Sequence, residues 1–179
     1  MLRKQDTMLL VIDVQGKLAR AVYEADYVLS NQQKLAKGAK LFELPVVVTE
    51  QNPKGLGSTV PEMRELLGDL PGFEKTAFNA CLEGGFLSEI RNTGKNQVLV
   101  CGIEAHVCVF QTVASLLDHG FEVHVAADSV SSRSAWNREA ALQRMRQLGA
   151  VITSAEMALF ELMEVAEGEK FKEFARIVN

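Results

Sequence analysis

Along this chain, short unbroken apolar runs alternate with stretches in which apolar residues recur every three or four positions. Met8-Leu9-Leu10-Val11-Ile12 is continuously aliphatic, as a strand buried on both faces is, and Val46-Val47-Val48-Thr49 repeats the pattern after Pro45. Runs at 97–101, 121–126 and 150–152 read the same way, and 73–76 reads as a brief strand. Between them the spacing predicts helices. One covers 27–42, with Val28, Leu35, Ala39 and Phe42 on one face, and a short one covers 62–67. Others cover 82–93, 105–119 closed by Gly120, 137–148 closed by Gly149, 155–163 and 170–178. The polar, Gly- and Pro-rich stretch 51–59 reads as a loop.

Strand alternating with helix implies parallel strands joined by helical crossovers. The expectation is an α/β fold: three α/β/α layers around an open, mostly parallel, Rossmann-like sheet of six strands. No repeat, low-complexity tract or linker interrupts the pattern, so residues 1–179 read as one domain. In such a sheet, ligands bind beyond the carboxyl ends of the strands, where strand order reverses. Segments 13–15, 74–79 and 102–108 follow the first, third and fourth strands and are the places to look for chemistry.

Asp13 directly follows the first strand, where burial would suit a carboxylate to proton transfer; a turn or cap is the alternative role. Cys108 falls in the first turn of a helix, where the dipole and free backbone N–H groups favour thiolate and can hold an oxyanion. The alternative is a small buried apolar side chain, the usual fate of a free cysteine. Cys101 lies inside an apolar strand, and Cys81 has no comparable setting. Lys75 sits between apolar neighbours and would lower a nearby thiol's proton affinity, unless it simply lies at the surface. His106, His119 and His124 show no metal-binding spacing, and Arg133 in 129–134 is a capping residue or an anion holder. Phe171, Phe174 and Val178 form a terminal stripe that reads as packing, within the chain or across a subunit interface.

Composition narrows the setting. The chain has 19 basic and 23 acidic residues, a net charge of −4, 47% hydrophobic and 23% charged residues. That is the balance of a globular protein, with neither the basic stripe of a nucleic-acid binder nor an apolar run long enough to span a bilayer. Three cysteines cannot all pair and the N-terminus lacks a signal-peptide core, so a reducing, cytoplasmic setting is expected.

Taken together, these segments resemble the isochorismatase-like cysteine hydrolases, the superfamily that includes nicotinamidases and carbamoylsarcosine amidases. The resemblance runs from Leu9-Leu10-Val11-Ile12-Asp13-Val14-Gln15 to the helix ending at Gly149. Its clearest element is the nucleophile segment Gly102-Ile103-Glu104-Ala105-His106-Val107-Cys108-Val109. The stretches Thr49-Glu50-Gln51-Asn52-Pro53-Lys54-Gly55-Leu56-Gly57 and Asp128-Ser129-Val130-Ser131-Ser132-Arg133 look most like the isochorismatase domain-containing subgroup.

The resemblance implies a triad of Asp13, Lys75 and Cys108 and a non-proline cis peptide between Ile103 and Glu104. It also implies an oxyanion site built from the Glu104 and Cys108 amides. Gln15, Phe78 and Asn79, close in sequence to the triad, are candidate substrate contacts. Nicotinamidases hold a metal through an Asp and histidines after the second strand. Residues 50–57 here contain no histidine, so neither that metal nor any other cofactor is expected. Namesake isochorismatases cleave a vinyl ether without a cysteine nucleophile, so Cys108 favours amidase-like chemistry on a small molecule. The implied protein is a metal-independent cysteine hydrolase that forms a thioester at Cys108 and assembles as a dimer or tetramer. An esterase, a catalytically silent binding or scaffold protein and a redox-sensing thiol are the alternatives.

Overall fold

A computed structural model describes residues 1–68, 70 and 72–179. The apolar runs form β1 (Thr7–Ile12), β2 (Val46–Gln51), β3 (Gly72–Lys75), β4 (Gln97–Ile103), β5 (Glu122–Ser131) and β6 (Val151–Thr153). They join one sheet in the order β3-β2-β1-β4-β5-β6. Every pairing is parallel, so the sheet expected to be mostly parallel is wholly so.

The helices are α1 (Leu18–Ala21), α2 (Ala25–Leu41), α3 (Pro53–Leu56), α4 (Pro61–Leu67), α5 (Phe86–Asn92), α6 (Phe110–Asp118), α7 (Ala135–Gln147), α8 (Ala155–Met163) and α9 (Gly168–Val178). Strand side chains alternate between the two faces of the sheet. Leu9 and Val11 of β1 therefore join Leu99 and Cys101 of β4 in a core covered by α2, α8 and α9. Met8, Leu10 and Ile12 join Val98 and Val100 in a second core under α5, α6 and α7. The terminal aromatic stripe belongs to the first core. Phe174 is buried, with its ring centroid 4.8 Å from that of Phe160 and 5.9 Å from that of Phe171.

Besides α1, which the sequence reading did not include, and β5, which runs on to Ser131 through residues read as a connection, three elements differ from that reading. The helix expected over 82–93 is divided into a 3-10 turn (Ala80–Leu82) and α5, because Gly84 and Gly85 lie between them and Gly85 has φ +93°. The helix expected over 105–119 opens with a wide π turn (Ala105–Val109) before α6 begins. In the expected loop 51–59, Gln51 instead closes β2, and Pro53 starts the single turn α3.

Two backbone features place the later chemistry. Gly102 has φ +137°, and a Cβ there would lie 2.1 Å from the Ile12 carbonyl oxygen, so only glycine lets β4 approach the end of β1. Gly102→Ala is expected to lose at least about 2 kcal/mol of stability in urea unfolding. A loss below about 0.5 kcal/mol would show that the approach is not needed. In β5, register shifts between the partners of Val100 and Gly102, and the strand takes up extra residues. Gln32 Nε2 donates to the Ser129 carbonyl at 3.0 Å, and Arg138 Nε donates to the Val130 carbonyl at 3.0 Å. This bulge carries Ser131 and Ser132 to the turn that follows β4.

Candidate active site

The site lies where strand order reverses, between β1 and β4. Asp13 is the first residue beyond β1, in a left-handed turn (φ +53°) that aspartate tolerates better than most residues. It is 2% exposed. Its Oδ1 accepts a hydrogen bond from Thr49 Oγ1 at 2.7 Å. Its Oδ2 lies 2.7 Å from Lys75 Nζ, an ion pair outside hydrogen-bonding angles, so among the described residues Oδ2 has no hydrogen-bond donor.

Lys75 ends β3, two strands away, and its side chain is fully buried. It is thus an internal group, not a surface one, and its contacts explain how it is tolerated there. Nζ donates to Gln51 Oε1 at 2.7 Å and to the Ala77 and Phe78 carbonyls at 3.3 and 3.4 Å. A buried lysine with a carboxylate partner and three oxygen acceptors keeps its charge satisfied.

Cys108 sits in the π turn with Sγ 4.0 Å from Gln51 Oε1. Its environment corrects one expectation. The helix end and Lys75 were expected to favour thiolate, yet burial, followed by the negative charge of Asp13, pushes the thiol up to about 12. Lys75 pulls it down, but less than burial raises it. The balance at Cys108 thus favours the thiol over the thiolate. Burial also pushes Cys101 up to about 12, and raises Cys81.

The turn that carries Cys108 is braced from outside. The Ile103–Glu104 peptide is cis. Glu104 Oε1 accepts from the backbone N–H of Arg133 at 2.9 Å and from its Nε at 3.1 Å. His106 Nδ1 lies 2.9 Å from Ser132 Oγ, and its Nε2 lies 3.4 Å from Asn137 Nδ2. Trp136, beside Asn137, is 82% exposed.

Asp13 and Cys108 line a cavity of about 90 Å³ together with Gln51, Glu104 and an apolar wall of Leu18, Leu56, Phe78, Ile103 and Val107. Of the three candidate substrate contacts, only Phe78 reaches it. Gln15 is buried, with its amide spent on the Gln51 N–H and the Gln51 and Gly57 carbonyls. Asn79 caps the 3-10 turn by accepting from the Cys81 N–H. The residue that sequence reasoning missed is Gln51. Applying the strand-end rule to β2, as to the other strands, would have found it.

The residues where a nicotinamidase-type metal would sit do not fit one. Glu50 Oε1 already accepts from Thr59 N and Oγ1, each at 2.7 Å, and from Arg64 Nη2 at 2.8 Å. Among the described residues, no group of three or more His, Cys, Asp or Glu side chains is placed to hold a metal ion.

A parallel Rossmann-type sheet with a cavity at its switch point defines the class as an α/β domain with a small-molecule site at the strand ends. The isochorismatase domain model matches residues 7–157, and the chain belongs to the isochorismatase family. It is 38% identical over 178 residues to isochorismatase domain-containing protein 2 of Xenopus laevis, covering 99% of this chain and 85% of that one. It is 40% identical over 173 residues to isochorismatase domain-containing protein 1 of Salmo salar, covering 97% of this chain but only 61% of that one. Among solved structures, the MAR1 ribonuclease of Caenorhabditis elegans superimposes with a TM-score of 0.91 at 37% identity, covering 99% of this chain and 91% of that one. YcaC from Pseudomonas aeruginosa, solved with hexane-2,5-diol and covalent acrylamide, gives a TM-score of 0.90 at 28% identity over 99% and 95% of the two chains. The YcaC gene product of Escherichia coli, an octameric hydrolase of unknown specificity, gives 0.92 at 29% identity over 98% and 88%.

Proposed function

We propose that the protein is a metal-independent cysteine hydrolase that cleaves a small amide through a thioester at Cys108. The observation that carries this reading is the convergence of three distant residues: Asp13 and Cys108 share one small cavity, and Lys75 pairs with Asp13 behind it. Cys108 Sγ attacks the substrate carbonyl, its proton passes to Asp13 Oδ2, and the carbonyl electron pair moves onto oxygen. The Glu104 and Cys108 amides hold that oxyanion. Collapse breaks the C–N bond, Asp13 gives its proton to the departing nitrogen, and an amine leaves. Water then adds to the thioester while Asp13 takes its proton, the C–S bond breaks, the acid departs and the proton returns to sulfur. Lys75 stays charged throughout and steadies both the Asp13 carboxylate and the developing thiolate.

The high proton affinity of the thiol argues against a redox sensor, since oxidation begins from thiolate. The Caenorhabditis neighbour is described as a ribonuclease. In this chain the charge of −4 and a cavity of about 90 Å³ support a small-molecule substrate instead. Assembly as a homo-oligomer, a dimer or tetramer on the sequence reading, is supported by the octameric state of the Escherichia coli neighbour. A cytoplasmic setting is supported by three free cysteines, although a relative in Phytophthora sojae is described as secreted. Among the described residues, no helix is long and apolar enough to cross a membrane.

The test is covalent labelling. Acrylamide is expected to modify Cys108 of the wild type at pH 8–9, and Cys108→Ala to remove that adduct, read by peptide mass spectrometry. Adduct formation at an equal rate in the variant would overturn the assignment of the nucleophile.

A further inference from the structure

The polar side chains on the cavity wall share one property. Asp13 and Glu104 are carboxylates, and Gln51 turns its carbonyl oxygen toward the site. The Gln51 orientation is fixed at both ends: Nε2 donates to the Thr76 carbonyl at 2.8 Å, and Oε1 accepts from Lys75 Nζ at 2.7 Å while lying 4.0 Å from Cys108 Sγ. The amide cannot flip without losing both bonds.

Lys75 lies behind the wall, paired by charge with Asp13, and its donors are committed to Gln51 Oε1 and to the Ala77 and Phe78 carbonyls. Arg133, the other nearby cation, is not on the cavity wall and directs its backbone N–H and Nε at Glu104. Apart from the backbone amides assigned to the oxyanion, the wall therefore offers acceptor lone pairs and apolar surface, and among the described residues no cationic side chain lies on it. A substrate carboxylate entering it would lose hydration without gaining a counter-ion, whereas a neutral group carrying N–H would find acceptors.

We infer that the cavity selects uncharged, N–H-bearing compounds and rejects carboxylates, with Gln51 as the specificity-determining residue whose Oε1 takes a substrate N–H. This rests on the reading of Cys108 as nucleophile. It also separates the protein from any substrate that must bring a carboxylate to the reacting centre, as isochorismate would.

Two alkylating reagents of nearly equal size test the inference without a known substrate. Iodoacetamide is neutral and bears N–H; iodoacetate carries a carboxylate. The quantity read is the ratio of their rates at Cys108, by peptide mass spectrometry, divided by the same ratio for free cysteine in the same buffer. A general loss of reactivity cancels in such a ratio. The wild-type value is expected to be at least about tenfold in favour of iodoacetamide.

Leu56→Arg places a cation on the wall at a half-exposed position outside the triad and is expected to bring the value to one or below. Gln51→Met removes the acceptor and is expected to lower it severalfold, even if the loosened Lys75 slows both reactions. A wild-type value near one, or a preference for iodoacetate, would overturn the inference and leave the nucleophile standing. A Gln51→Met value equal to wild type would overturn the role of Gln51. If neither reagent modifies Cys108, the proposed hydrolase reading fails, and this inference fails with it.

Discussion

Asp13→Asn is expected to reduce hydrolysis by about 100- to 10,000-fold while making the Cys108 thiol easier to ionise. The two effects have one cause. With burial and the Asp13 charge pushing the thiol up to about 12, attack at pH 7 draws on the thiol and not on thiolate formed in advance. Asp13 must remove the proton as the bond forms, and asparagine cannot. Yet the Asp13 charge is itself one reason the thiol is raised, second only to burial. Removing it leaves Lys75 as the nearest charge, and the thiol ionises at lower pH.

The checks are a screen of amides and esters with both proteins, together with the pH dependence of iodoacetamide alkylation. In the wild type, the alkylation rate should climb steadily from pH 7 to pH 10 without levelling. In Asp13→Asn, the midpoint should move down. A wild-type plateau near pH 8 would show that the resting nucleophile is already a thiolate. Turnover surviving in Asp13→Asn would remove Asp13 from the proton path.

Lys75→Met should be among the most destabilising single changes in the molecule, at about 3–5 kcal/mol. It leaves the Asp13 carboxylate buried without its counter-ion and strips a donor from Gln51 Oε1 and from two backbone carbonyls. The double variant Asp13→Asn/Lys75→Met removes both charges and should recover much of the loss, because the cost of a broken buried pair lies mainly in the stranded partner. Activity should not recover with it. Urea unfolding of the single and double variants measures this. A single-variant loss under about 1 kcal/mol, or a double variant no better than Lys75→Met, would show that the pair is not a tightly coupled unit.

The strand and helix order was legible in the sequence because a doubly covered parallel sheet writes its strands as unbroken aliphatic runs. Met8–Ile12 and the valines of β2 could be little else. The breaks were harder to read. The π turn at Ala105–Val109 leaves no mark on hydrophobic spacing, and the bulge in β5 depends on Gln32, 97 residues away in sequence, and on Arg138 of the following helix.

Asp13, Lys75 and Cys108 were legible as candidates because each follows or ends a strand on the functional edge. Their electrostatics were not, since local sequence shows a helix start but not the burial that outweighs it at Cys108. Gln15 and Asn79 mark the limit of nearness in sequence. Two residues beyond Asp13, the Gln15 side chain turns from the cavity to tie the end of β2 to the 53–59 segment.

Trp136 is the sole tryptophan of the chain, and it stands in water at the start of α7. Its indole already experiences a polar surrounding in the native state, so its emission will change little when the chain unfolds. Fluorescence scans would therefore understate the damage done by Lys75→Met, and far-UV circular dichroism is the sounder gauge of the folded fraction. The same placement makes Trp136 an optical probe of another kind. Its neighbour Asn137 lies 3.4 Å from His106 in the turn that carries Cys108, so a soluble quencher reports on the surface beside that turn without any label being attached.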